Sequence, residues 1–183
     1  MRTTDTSDDR RPAEPLPVVR LPEFTRADLD ELSGNADDPF GIAELPLEWR
    51  SKDEHFGIRR DGRLVAHAGL VTVPVSVGGV RTDAVGLGGV IVAPDLRGRG
   101  LARAVVTAAV EHARGMGPRF GLLFCLPDRV PLYERLGWRV LEREVLVEQP
   151  GGPAVMPLRC MWTPLREGAH WPPGPVRLLS LPM

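Results

Sequence analysis

The stretch Val85–Ala102 constrains the fold more than any other part of the chain. Val85 to Val92 is a nearly unbroken apolar run containing Gly86, Gly88 and Gly89, which fits a central strand that is buried on both faces or bulged. Glycines inside a strand often mark the close approach of another backbone or of a ligand. After Ala93-Pro94-Asp95-Leu96 the chain runs through Arg97-Gly98-Arg99-Gly100 straight into an alanine-rich helical pattern. There Leu101, Val105, Ala108, Ala109 and His112 recur at helical spacing, and Gly115 and Gly117 end the segment near Met116. Such a helix start is an anion site: its first N–H groups lack internal partners, Gly98 and Gly100 permit positive φ, and Arg97 and Arg99 add charge. A phosphate or pyrophosphate suits it. The spacing is neither G-x-x-x-x-G-K-[ST] nor G-x-G-x-x-G, which disfavours a P-loop NTPase and a Rossmann dinucleotide site.

Around this centre the chain organises as one domain. At 183 residues it is expected to hold a tail at Met1–Pro22, charged and with four prolines, and a single domain from Glu23 to Met183. A helix is predicted over Arg26–Leu32, with Thr25 as N-cap, Asp28 three residues on, and a stop at Gly34 and Asn35. Phe56–Arg59 and Leu64–Val71 read as a hairpin around Asp61-Gly62, and Val73–Val77 with Val80–Ala84 as a second one around Gly78-Gly79. Beyond the central helix come a strand at Phe120–Leu126, a helix capped by Asp128 and running to Leu136, and strands at Trp138–Val147 and Met156–Met161. The remainder, with seven prolines or glycines after Met161, is expected to be irregular.

Composition excludes several functions. The net charge of −1 offers no clustered basic surface for a nucleic-acid backbone. Of 23 basic residues only Lys52 is a lysine, a bias read as genomic rather than functional. Cys125 and Cys160 lie far apart without a C-x-x-C partner, so no metal site is expected. No apolar run reaches the roughly 18 residues of a membrane span, and the N-terminus lacks a signal-type apolar core, so a cytoplasmic location is expected.

The residues Arg97, Gly100 and Ala102, approached through Val92-Ala93-Pro94-Asp95-Leu96-Arg97-Gly98, resemble motif A of the GCN5-related N-acetyltransferases (GNAT). Some 30 residues later, Leu132-Tyr133-Glu134-Arg135-Leu136-Gly137-Trp138 resembles that family's motif B. The resemblance covers roughly Glu48 to Met161. It implies an α+β fold of three α/β/α layers: a mixed, mostly antiparallel sheet splayed at the coenzyme A site and flanked by helices. It implies acetyl-CoA as donor, with pyrophosphate on the backbone of Arg97, Gly98, Arg99, Gly100, Leu101 and Ala102. The pantetheine arm would pair with the strand edge at Val90, Ile91 and Val92, and an N–H near Val90 would polarise the thioester carbonyl. Tyr133, the only tyrosine, would be the general acid for the departing thiolate; on position alone it reads as a core residue with a satisfied hydroxyl.

A finer similarity is to the aminoglycoside 2′-N-acetyltransferase branch, through Leu64–Ala68, Val80-Arg81-Thr82, Gly89–Val92 and the Trp-, Gly- and Pro-rich C-terminus. Where that branch places a glutamate, this chain has Gly88, so another base is required to deprotonate an alkylammonium. Glu48, beside Trp49, and Asp83, ahead of the central strand, rank first, followed by Asp53, His55 and His67; His67 reads more simply as a core histidine and Cys125 as a buried thiol. Trp162 and Trp171 either line an acceptor site or cover the last strand. Acidic loops around Asp37, Asp38, Glu44 and Glu48 suit a cationic acceptor. The expected partner is therefore a small-molecule amine, such as an amino sugar or antibiotic-like amine, with neither nucleic acid nor membrane; a homodimer is left open. The rival readings are an inactive acyl-CoA sensor and a protein N-acetyltransferase.

Overall fold

The computed structural model describes residues 16–183. Strands β1 (Val18–Leu21), β2 (Glu54–Arg60), β3 (Arg63–Val77), β4 (Val80–Val92) and β5 (Phe120–Cys125) build the first part of one sheet. Strands β6 (Arg139–Val140), β7 (Val145–Val147), β8 (Ala154–Val155), β9 (Arg159–Pro164) and β10 (Val176–Leu178) complete it. The order is β6-β9-β5-β4-β3-β10-β7-β8, with β2 also on β3 and β1 on β2. All pairings are antiparallel except β4 with β5 and β7 with β10.

Local chemistry explains the well-marked elements. Thr25 and Asp28 form a capping box on helix α1 (Arg26–Ser33), and Gly34 closes it in the left-handed region. Asp61 and Gly62, both at positive φ, make the tight β2–β3 turn, and Gly78 and Gly79 do the same between β3 and β4. Helix α2 (Leu101–Ala113) buries Val105, Val106, Ala109 and Ala113 against Val85, Leu87 and Leu123 on one face of the sheet. Helix α1 places Leu32 with Leu64 and Ile91, joined by Phe24 and Phe40, on the other. These are the three layers the resemblance implies. Glu54 ties the α2 side together, standing 2.9 Å from Arg20 on β1 and 2.6 Å from His112 on α2.

Several expectations are corrected. The segment assigned to a tail contributes β1, because Val18–Leu21 pairs along His55–Ile58 and buries Leu21; residues 1–15 of that tail lie outside the described residues. The two successive hairpins share their middle strand, since Leu64–Val71 and Val73–Val77 form a single 15-residue strand, and Val80–Ala84 continues into the central run as a 13-residue strand. Helix α2 ends at Ala113, short of Met116. Asp128 caps no helix: it lies in a 3₁₀ turn, Pro127–Arg129, ahead of the short α3 (Val130–Glu134).

Trp138–Val147 is two strands at distant places in the sheet, β6 on β9 and β7 on β10. Six strand spacings separate β6 from β7, about 29 Å in a flat sheet, whereas the link between them extends to at most about 18 Å. The sheet must therefore curl, and this curl draws Val176–Leu178, expected to be irregular, between β3 and β7.

Candidate active site

The centre of the sheet opens at β4. Strands β4 and β5 pair only at Val85–Leu87 with Gly121–Leu123; beyond that point β4 runs on to Val92 and β5 to Cys125 without pairing to each other. A bulge accounts for the divergence. Gly69 pairs with Gly88 and His67 with Ile91, so Gly89 and Val90 together face Ala68. Gly89 takes φ +61°, a conformation open to glycine at little cost, and the extra residue twists the strand and re-aims it. The edge of β4 facing β5 is left free to pair an extended, amide-bearing ligand.

The anion loop follows at the open end. Asp95 receives both guanidinium nitrogens of Arg63, at 3.0 and 3.2 Å, and this pair holds its carboxyl below the usual range. Gly98 and Gly100 adopt φ +76° and +79°, and Gly100 is the N-cap of α2, with no side chain capping the helix. The first helical bond runs from the Ala104 N–H to the Gly100 carbonyl at 3.0 Å. Side chains of Arg97 and Arg99 are exposed, and a Cβ at Gly98 or Gly100 would meet nothing within 4 Å, so the loop has the open, donor-rich surface that a pyrophosphate needs.

Tyr133 lies beside Cys125, the last residue of β5. It is buried on α3, edge-on to Trp138 at 6.2 Å, and its hydroxyl has no hydrogen-bond partner among the described residues. Burial, with Cys125 beside it, raises its pKa, so the phenol stays protonated at neutral pH. Cys125, at the end of β5, has its thiol pushed up to about 11 by burial and by Asp128, and donates to the Met161 sulfur at 3.8 Å; a thiolate nucleophile is thereby disfavoured.

The two carboxylates ranked first fare differently. Glu48 is exposed in the loop that covers the α1 face, which is clipped to Gln149 through the Glu48 N–H (2.7 Å) and carbonyl (3.2 Å). Asp83 is exposed opposite Pro74, five residues from Gly88, about 16 Å along β4, so the structure does not bring it to the opening. Asp53 is exposed just before β2. Asp38 spends its carboxylate on the N–H groups of Gly41, Ile42 and Ala43, leaving Asp37, Glu44 and Glu48 as the free charge of the acidic loops. Trp162 and Trp171 cluster with Phe120, the first residue of β5, at centroid distances of 5.1–6.0 Å, and Trp162 pairs with Leu122 on that strand.

His55, His67 and Gly89 form a chain. The Gly89 carbonyl can only accept, so His67 Nδ1–H donates to it at 2.7 Å, and His67 Nε2 then accepts from His55 Nδ1–H at 3.1 Å. Phe24 stacks on His67 at 3.6 Å. Burial pushes His67 down to about 4, so the imidazole is neutral and fixes the bulge instead of carrying protons. Beside this chain lies Lys52, a residue sequence reasoning passed over although its being the sole lysine was a signal. Its stem crosses Gly69 and Gly88, the pair on which β3 and β4 meet.

The chain thus combines a curled mixed sheet, opened at its middle strand, with an uncapped glycine-rich helix start. Residues 27–141 match the Acetyltransferase (GNAT) domain, and the chain belongs to the GNAT acetyltransferase family. It is 35% identical over 88 residues to the glucosamine 6-phosphate N-acetyltransferase of Trypanosoma brucei brucei, a match covering 48% of this chain and 58% of that protein, so the chain spans little more than half of that relative. Its fold is similar to that of a GNAT family N-acetyltransferase from Escherichia coli solved in complex with CoA (TM-score 0.57, 18% identity, 97% of this chain and 94% of that one). A GNAT family acetyltransferase from Brucella melitensis, solved with acetyl-CoA, is similar at TM-score 0.52 and 18% identity over 87% of this chain and 94% of that one. Among the described residues no helix is long and apolar enough to cross a membrane, and no group of three or more His, Cys, Asp or Glu could hold a metal ion.

Proposed function

We propose that the protein transfers the acetyl group of acetyl-CoA to a primary amine of a small molecule by direct attack. The divergence of β4 from β5 beside the open start of α2 is the observation that carries this reading. The pyrophosphate lies on the N–H groups of Arg97 to Ala102, with the guanidinium groups of Arg97 and Arg99 adding charge. Pantetheine pairs with β4 at Val92 and Val90, which leaves the thioester at the apex near Gly88. An N–H at this end of β4 polarises the thioester carbonyl. Tyr133, held protonated by burial, donates to the thiolate as the C–S bond breaks. Glu48, exposed beside Gln149, is the carboxylate this reading assigns to attract the amine and take up its proton through water; the place of Asp83 gives no support to a role as base.

An amino sugar is the acceptor class this reading favours, aminoglycosides among them. Its support is the likeness to a glucosamine 6-phosphate N-acetyltransferase and the carboxylates of Asp37, Glu44 and Glu48 on the loops over the α1 face. Thiol release from acetyl-CoA against glucosamine, glucosamine 6-phosphate, an aminoglycoside, polyamines, amino acids and peptides tests it, with calorimetric CoA binding alongside. Turnover is expected with an amino sugar. Turnover with peptides alone would overturn the acceptor class, and absence of CoA binding would overturn the donor site.

A further inference from the structure

Lys52 is placed with unusual specificity for a lone lysine. It lies on the face of the sheet opposite α2, since Gly69 and Gly88 alternate with Leu70 and Leu87, which pack with that helix. A Cβ at Gly69 would stand 2.5 Å from Lys52 Cγ, and one at Gly88 would stand 2.6 Å from Cε, 3.2 Å from Nζ and 3.1 Å from the backbone carbonyl carbon of Met183, which flanks the amine. Two glycines paired directly across β3 and β4 thus form a trough that any larger residue would fill. The lysine stem lies in it, running from β3 across β4 toward the gap where β4 and β5 part. Nζ ends at Gly88, the first residue of β4 past the last β4–β5 pair. The one hydrogen bond it makes among the described residues goes to the Arg50 carbonyl, at 3.3 Å. Burial, with Arg50 nearby, pushes the ammonium down to about 8, so a useful fraction is the neutral nucleophile near neutral pH.

We propose that Lys52 is a self-acetylation site: its Nζ occupies the apex of the opening, where an acceptor amine must stand, and takes the acetyl group from bound acetyl-CoA. This rests on the donor reading above. The neutral amine attacks the thioester carbonyl, an N–C bond forms and the C–S bond breaks. CoA leaves as the thiol with the proton that Nζ gives up. The product is an acetamide on Lys52 that abolishes its charge and fills the acceptor side of the apex.

The full chain incubated with acetyl-CoA alone tests this, because every acetyl-lysine must be Lys52. Peptide mapping by mass spectrometry is expected to place one acetyl group there, formed about tenfold or more faster than on a free lysine peptide in the same tube, as proximity requires. Unfolding in urea should remove the advantage, and Lys52→Arg should leave that position unmodified while still binding CoA; Lys52→Gln checks binding if the arginine does not fit the trough. Calorimetric CoA binding separates the two failures. Binding without Lys52 acetylation, or acetylation equally fast in urea, would overturn self-acetylation and leave the donor site standing, whereas no binding would overturn both.

Discussion

The neutral His67 makes the stability of the fold around the Gly89 bulge depend on pH, and the size of the effect follows from its burial. In the folded chain its pKa is pushed down to about 4 from the ordinary 6.5, with desolvation the largest cause. Between those values the unfolded chain binds a proton that the folded chain refuses, so folding stability must fall as pH drops. The contribution is whole above about pH 6.5 and is lost progressively toward pH 4, amounting to about 3 kcal/mol in all and about 2 kcal/mol by pH 5. His55, Lys52 and Asp28 also act on this ring, and other groups titrate in the same range, so the total slope is not diagnostic. A His67→Gln variant isolates the effect: the amide N–H can still donate to the Gly89 carbonyl, its oxygen can accept from His55, and nothing titrates. Urea unfolding of both proteins at pH 7.5, 6 and 5 is the assay. Loss of stacking on Phe24 lowers the variant equally at every pH, while the wild type loses about 2 kcal/mol more than the variant between pH 7.5 and 5. Equal losses in the two would refute a buried, neutral His67.

Three substitutions probe the rest of the site. Tyr133→Phe is expected to lower kcat by about 10²–10⁴ with CoA affinity kept, measured by steady-state kinetics beside calorimetry; unchanged turnover would return Tyr133 to a packing role. Gly89→Ala forces a side chain into φ +61°, costing about 1–2 kcal/mol in thermal or urea unfolding, and should weaken CoA binding because the bulge that opens the sheet is strained. Gly100→Glu puts a carboxylate into the anion loop, where no neighbouring atom obstructs it, so CoA affinity should fall about tenfold or more while the fold loses about 1–2 kcal/mol; unchanged affinity in calorimetry would remove the pyrophosphate from this loop.

Much of the fold was legible because its signals are short-range. The capping box at Thr25 and Asp28, the Asp61-Gly62 turn and the alanine-rich face of α2 each need only a few neighbouring residues to act. The failures share an opposite cause. Whether Val71 and Val73 belong to one strand or two depends on what lies beside them, and β4 pairs along β3 from Ala66 to Val77. The weak alternation of Trp138–Val147 conceals a crossing between distant parts of a curled sheet. Asp83 looked close to the centre in sequence and stands about 16 Å from it, because an extended strand spends about 3.3 Å on every residue.

The sequence by itself determined the strand, the glycine–arginine loop and the helix start of the proposed anion site, since backbone donors and φ preferences are properties of adjacent residues. It also determined the motif B tyrosine. Tertiary structure decided where the sheet opens, because a bulge exists only relative to a partner strand, and that partner supplies both Ala68 and the His67 that holds Gly89. It likewise decided the place of Lys52. Nothing near that residue in the chain marks it, and only the pairing of Gly69 with Gly88 creates the trough that carries its amine to the site.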